Sequence, residues 1–469
     1  MFQLGKKIEA FANKAPVAVL VRTVLQRDLD PERMDRLFHD TAELQYENKL
    51  LFSTVMMIMI DVILKSAKSV NRAFQLHREK VPVTVKALYN KINNLEIGIS
   101  RELVVDGFRN LTPVVDKLKG KIAPLLPGFR TLILDGNHFA ATQRRLKGLR
   151  NNSAGPLPGL ALTLYDQEYG MVRDVIPCED GHAQERSLLG PILEQIRLKD
   201  CLVADRNFCV IAFMAEIAAR GGFFVIRHHG QLKCWKGIKT PKLKGVTETG
   251  EVYEQSIVIT QEKTGTVLKL RRITVKLKQK TRDGDKEIHI LTNLKVKNAT
   301  AIKVSEIYRK RWRIEGMFQE LTQSLACEID TLAQKNNTAQ AAVFAFCLAV
   351  KAYNAVSLVR AALRSELGEE QVEELSWYHL CDETATVWAG MKIAVEPKDW
   401  SRLIDGLSDA LYAKLLCELV GRMNLIKYKR ARRGPKLKRP QKRSHEAGNH
   451  VSTAKILGER NAKKQKIMK

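Results

Sequence analysis

Two short apolar runs, each closing on an aspartate, constrain this chain most: the one in RTLILDGNH ends on Asp135 and the one in CLVADRNF ends on Asp205. Apolar residues without polar alternation are what a strand covered on both faces looks like. The residue that ends such a strand in an α/β fold stands at the carboxyl edge of the sheet, where these folds keep their sites.

The segments around the two runs suggest a particular order. Pro127 and Gly128 punctuate the chain before the first run, and GLALTLYDQEYGMVRDVIPC then reads as two strands joined in a hairpin around Gln167 to Gly170. GHAQERSLLGPILEQIRL has helical spacing despite Pro191, CVIAFMAEIAARGG reads as a helix closing on Gly221 and Gly222, and FFVIRHH reads as a strand. Three antiparallel-type strands, then helix, strand, helix, strand, is the order of an RNase H-like α/β core.

Helical patterning fills the rest. Residues 1–125 are expected to form a helical N-terminal domain, 126–365 the α/β core, 366–423 a helical C-terminal region and 424–469 a basic tail without a core of its own. Within the core, about 231–286 alternates apolar residues with Lys and Arg, which predicts a β-rich, basic insertion. LLFSTVMMIMIDVIL, from Leu50, is shorter than a membrane span and contains Asp61, so a buried helix is expected and no membrane partner. The first residues lack an apolar signal-peptide core, and the eight cysteines are scattered without metal-finger spacing. Both features predict a cytoplasmic protein with reduced thiols.

Charge indicates the partner. Against 51 Asp and Glu stand 78 Lys and Arg, a net +27, and residues 424–469 hold 16 Lys or Arg against 2 Glu, or +14 of it. Such an excess points to a polyanion, because phosphate contacts that release counterions make basic surfaces bind nucleic acid tightly.

A third carboxylate comes from YRKRWRIEGMFQELTQ, which begins at Tyr308. Tyr308, Arg311 and Glu315 stand at i, i+3 and i+7, one face of a single helix. If the strands ending on Asp135 and Asp205 are neighbours, that face laid over them makes a three-carboxylate pocket of the oxygen-rich kind that Mg²⁺ or Mn²⁺ prefers. Two such ions can activate a water or a 3′-hydroxyl and stabilise the leaving oxygen of a phosphodiester.

On these residues the chain resembles the DDE transposases of bacterial insertion sequences, in particular the group typified by insertion sequence four. That group's signature is Tyr, two residues, Arg, three residues, Glu, six residues, Lys; Tyr308, Arg311 and Glu315 match it, whereas the Lys position is Thr322. The likeness spans roughly residues 40 to 460, including the insertion between the second and third carboxylates. It implies that Asp135, Asp205 and Glu315 are the catalytic ligands of two Mg²⁺ (or Mn²⁺) ions, and that the substrates are double-stranded transposon-end repeats and target DNA. It also implies cut-and-paste strand transfer, a homodimer that brings two ends together, and a nucleoid-associated protein of the bacterial cytoplasm. Tyr308 and Arg311 would position a phosphate. Arg206 is either a further phosphate contact or a locally paired surface residue, and Trp235 either stacks on an unpaired base or packs within the insertion. His138 either touches the substrate or is a strand-end histidine satisfied by backbone. Trp312 is expected to pack; Glu179, Asp180, His182 and Glu185 resemble a metal cluster but, in a loop entering a helix, are expected to be capping and surface groups. The rival readings are a structure-selective nuclease of the same fold and a catalytically inactive transposase-derived DNA-binding protein.

Overall fold

The computed structural model describes residues 2–138, 160–178, 185–230, 232, 235–261, 265–281, 284–327 and 339–431. The chain opens with helices α1 (Lys6–Lys14), α2 (Pro16–Asp28), α3 (Pro31–Thr41), α4 (Phe52–Ile63), α5 (Val70–Leu76), α6 (Val85–Asn93) and α7 (Ile97–Leu118). Local chemistry sets several of their starts. The side chains of Asp30, Ser69 and Thr84 each accept from the backbone N–H three residues on, and Pro16 and Pro31 take early helical positions where no N–H is needed.

A sheet follows, made first of β1 (Arg130–His138), β2 (Leu160–Asp166) and β3 (Met171–Cys178), all antiparallel. Helix α8 (Leu189–Glu194) leads to β4 (Asp200–Ala204), and α9 (Ile211–Ala219) to β5 (Phe223–Arg227); β4 runs parallel to both β1 and β5. The spatial order β3-β2-β1-β4-β5 is that of an RNase H-like core. The insertion supplies β6 (Trp235–Gly237), β7 (Lys242–Val246), β8 (Gly250–Gln261) and β9 (Thr266–Leu277), and β10 (Glu287–Thr292) pairs β9 on one side and β5 on the other. The insertion therefore lengthens the core sheet, to ten strands.

Side-chain parity shows why the strands read as apolar runs. Leu132, Leu134, Leu202, Ala204, Phe224 and Ile226 share one hydrophobic cluster with Phe213, Met214 and Ile217 of α9. Their neighbours Ile133, Val203 and Val225 belong to the other cluster, which includes α7 and the later helices. Both faces are covered, so no polar alternation is left.

The remaining helices are α10 (Ala301–Arg309), α11 (Trp312–Gln323), α12 (Ala339–Leu367), α13 (Glu369–Glu373), α14 (Trp377–Ala394), α15 (Pro397–Ile404) and α16 (Asp409–Val420). Helix α12 is long and apolar enough to cross a membrane, yet its apolar window is wholly buried in the fold. Asn354 fastens it to the sheet, accepting from Val172 N at 2.9 Å and donating to Val172 O at 2.8 Å. Lys351, fully buried, reaches Asp28 of α2 at 3.0 Å and Asp106 of α7 at 3.3 Å. Most of the basic tail, from 432 on, lies outside the described residues.

The β2–β3 hairpin turns where expected. Asp166 accepts from the N–H groups of Glu168 (3.1 Å) and Tyr169 (3.3 Å), and Gly170 takes φ +66°. The other Asp166 oxygen is buried without a partner, and burial pushes this carboxyl up to about 6 although the Tyr169 N–H, Arg130 and Arg173 oppose it. A raised folded pKa contributes stability that is complete below the unfolded value and lost as pH rises through about 6. Asp166→Asn keeps the turn acceptor without the charge. It is expected to be more stable than the parent at pH 8 by about 2–3 kcal/mol, with the advantage vanishing near pH 4, as read by urea denaturation at the two pH values.

Candidate active site

Strand register brings the two aspartates together. Ile133 pairs with Val203 and Leu134 with Ala204, where the β1–β4 ladder ends, so Asp135 and Asp205 come next on adjacent parallel strands. Each lies two residues beyond Ile133 or Val203 and so continues along the face that α7, α11 and α12 cover. One expectation needs correcting: Asp135 does not end its strand. β1 continues to His138 because its antiparallel pairing with β2 persists through Gly136↔Leu162 and His138↔Leu160. Asp135 marks only the place where β4 leaves.

The third carboxylate arrives on a broken helix. Instead of one helix through Tyr308, Arg311 and Glu315, α10 ends at Arg309 and α11 starts at Trp312, with Arg311 as its N-cap in right-handed helical conformation. Across this break the three side chains still converge. Ile314, Met317 and Leu321 bury the apolar side of α11, and Arg313 donates to Gln167 at the hairpin (2.9 Å), which fixes the helix over β1 and β2.

At the centre is Arg311, with 9% of its side chain exposed. It donates to Asp135 Oδ2 at 2.8 Å and to Glu315 Oε1 at 2.5 Å, while the Tyr308 hydroxyl donates to Asp205 Oδ1 at 3.1 Å. Burial pushes the Asp135 carboxyl up to about 7; Arg311 and the Gly136 N–H pull it down, and Asp205 and Glu185 push it further up. Burial would weaken the Arg311 charge, but Asp135, Tyr308, Asp205 and Glu315 outweigh it and hold the guanidinium firmly protonated. Tyr308 is raised by burial and then by Asp205, so its hydroxyl stays a donor.

A fourth carboxylate joins this group, one expected from its place before a helix to be a capping or surface residue. Glu185 opens the turn before α8, accepts from Asn207 Nδ2 at 3.3 Å, and lies so close to Gly136 that a β-carbon there would meet its Oε1 at 2.1 Å. It thus links the segments that follow Asp135 and Asp205. No local motif marks it, because the link is made only when the turn before α8 comes to lie against Gly136.

The other candidates are placed as follows. Arg206 starts the turn directly after Asp205 and is half-buried. Trp235, partly buried on β6, has the Arg272 guanidinium 4.8 Å from its ring centroid and the His228 ring edge-on at 5.9 Å, so its packing lies within the insertion and the β5 end. Trp312 was expected to pack but is 63% exposed, because the face of α11 it occupies is turned away from Ile314 and Met317. Thr322 is exposed in the last turn of α11, its hydroxyl bonded back to Phe318 O and Gln319 O. Glu179, Asp180, His182 and the His138 side chain lie outside the described residues.

Among the described residues no three His, Cys, Asp or Glu side chains stand close enough to hold a metal ion with the side chains as they are. The donor set nevertheless fits a hard divalent cation. Asp135 and Glu315 converge on one buried cationic group, Asp205 is adjacent in register, every donor is a carboxylate oxygen, and Glu315 is a third exposed.

An RNase H-like sheet that gathers carboxylates at its strand ends is the architecture of a phosphodiester-processing enzyme. Residues 127–350 match the model of the transposase DDE domain. The chain accordingly carries a transposase DDE domain and is an enzyme of DNA transposition; enzymes with this domain generally use divalent metal. No curated protein matches it. Among solved structures, the cryo-EM structure of the piggyBac transposase synaptic complex with hairpin DNA is similar over 86% of this chain and 85% of that chain, at 10% identity and a TM-score of 0.39, too loose a likeness to add to the topology.

Proposed function

We propose that this transposase belongs with the bacterial insertion-sequence-four-like enzymes and performs cut-and-paste transposition through Asp135, Asp205 and Glu315. The observation that carries the reading is the convergence of these carboxylates, from β1, the end of β4 and α11, around Arg311 and Tyr308. Two Mg²⁺ or Mn²⁺ ions held by the three carboxylates would supply Lewis-acid activation of a water or 3′-hydroxyl and charge stabilisation at the leaving oxygen.

The chain's own groups do the positioning. Water attacks phosphorus at the transposon end and the bond to the 3′ oxygen breaks, leaving a 3′-hydroxyl; that hydroxyl then gives up its proton and attacks a second phosphodiester, whose own bond from phosphorus to its 3′ oxygen breaks as the new one forms. The Arg311 fork, permanently charged, suits a phosphate as well as it suits the carboxylates it now bridges. Tyr308 orients Asp205. Arg206 and Trp235 would add contacts to DNA, the N-terminal helices would grip the transposon ends, and the basic tail would hold the backbone nonspecifically. A homodimer working on the nucleoid in the bacterial cytoplasm would supply the two sites that two ends require.

The test is incubation of the purified protein with Mg²⁺ and a duplex carrying the inverted repeats that bracket its gene. The reading expects cleavage at the repeat ends that chelation abolishes; cutting that follows DNA shape and ignores the repeats would favour a structure-selective nuclease. A second expectation concerns the departed signature position. Thr322→Lys should strengthen binding to repeat DNA several-fold and steepen the dependence of log affinity on log salt by about 1, measured by titration at several salt concentrations.

A further inference from the structure

Away from the carboxylates, a second polar centre lies among the helices. It is a cavity of about 400 Å³ between α2, α4, α14 and the turn after α5. Arg22, His77, Lys80, Trp388 and Lys392 line it on one side, and apolar side chains such as Met57 and Ile60 on the other.

The charges in it do not balance. Asp61, 2% exposed, supplies the carboxylate; it accepts from Trp388 Nε1 at 2.8 Å and from Lys392 Nζ at 2.7 and 2.9 Å, with His77 Nε2 2.8 Å away. That accounts for one ammonium. Arg22 has no hydrogen bond to a side chain or backbone group among the described residues, and its Nε is buried without a partner. Its guanidinium lies over two aromatic rings, 5.1 Å from the centroid of Trp388 and 5.6 Å from that of Trp400. Lys80 is exposed at the rim. The Lys392 pKa is pulled down by burial, which Asp61 opposes, and the charges of Arg22 and Lys80 push it further down. Three cations share the one carboxylate of Asp61, whose charge reaches Arg22 without a hydrogen bond, so two positive charges are left over around a half-apolar cavity; a part-buried cation that must share its counterion is costly.

We propose that this pocket binds a phosphomonoester, either a free organic phosphate of mononucleotide size or the 5′-phosphate at the end of a DNA strand. A phosphate dianion neutralises the surplus, where a single carboxylate would leave one cation over. A guanidinium fork beside ammonium groups matches its tetrahedral oxygens. The apolar wall takes the organic body, and the volume falls in the range of small-molecule sites, about 300–1,000 Å³. The DNA-end source rests on DNA being this enzyme's substrate; the free-ligand source does not.

Calorimetric titration of the full-length protein with deoxyadenosine 5′-monophosphate, inorganic phosphate, and matched duplexes with and without a 5′-phosphate tests the proposal. Saturable binding of the nucleotide, weakened at least tenfold in both Lys80→Gln and Arg22→Met, supports the free ligand. Failure of the nucleotide, together with a preference for the phosphorylated duplex that both variants lose, supports the DNA end. Lys80 is exposed, so its replacement leaves the fold intact even if Arg22→Met does not. No phosphate-dependent binding, or binding unchanged in Lys80→Gln, would overturn the proposal, as would a melting temperature raised by Arg22→Met with binding intact. Glu315→Gln should leave nucleotide binding unchanged, so failure here is distinguishable from failure of the catalytic reading.

Discussion

Replacing Lys351 with methionine is expected to lower the unfolding free energy by about 3–5 kcal/mol, the cost of leaving a buried charge without its partner. Lys351 and Asp28 are both fully buried, and their ion pair at 3.0 Å joins α12 to α2, elements more than 300 residues apart in sequence. Asp106 would be less affected, because Arg33 also donates to it, at 2.6 and 3.2 Å. Asp28 would keep Asn110, at 2.9 Å, but no cation among the described residues. The double variant Lys351→Met, Asp28→Asn should therefore recover most of the loss. Urea denaturation of the parent, the two single variants and the double variant measures the coupling; a fully additive cycle would mean the pair holds nothing together.

Glu315→Gln is expected to reduce cleavage at the repeat ends by about 10³-fold or more while leaving DNA affinity and its salt dependence nearly unchanged. The amide keeps the size of the side chain and can still accept from Arg311, but it loses the charge that a divalent cation requires. Little fold energy is at stake, since Glu315 is a third exposed and Arg311 retains Asp135 at 2.8 Å. Gel-shift titrations beside cleavage assays separate the two quantities. A loss of binding equal to the loss of cleavage would make Glu315 a DNA-positioning residue instead.

Much of this site was legible in the sequence because burial on both faces leaves a mark that a chain cannot hide. LIL before Asp135 and LVA before Asp205 lack polar alternation, and their parallel pairing sets the two aspartates side by side. The hairpin at Gln167 to Gly170 was equally plain from its turn residues. Spacing also brought Tyr308, Arg311 and Glu315 to one place, although the helix breaks at Lys310–Arg311, a break that no proline or glycine announces. What sequence could not give were contacts made by closure. Glu185 reaches Gly136 only after the turn before α8 folds back over β1, and Arg311 pairs with Asp135 across 176 residues. The cationic pocket at Arg22 is assembled from α2, α4 and α14, and nothing local distinguishes its lysines from surface ones. Trp312 misled for the opposite reason, since aromatic character suggested packing where the helix face meets solvent.

Dependence of cleavage on a divalent ion held by Asp135, Asp205 and Glu315 is tested most directly by exchanging one ligand for a softer one. Asp205→Cys, assayed on a repeat-bearing duplex in Mg²⁺ and then in Mn²⁺, should be inactive with Mg²⁺, which binds thiolates poorly, and partly restored by the more thiol-tolerant Mn²⁺. Cleavage by Asp205→Cys in Mg²⁺ at the parent rate would contradict the account.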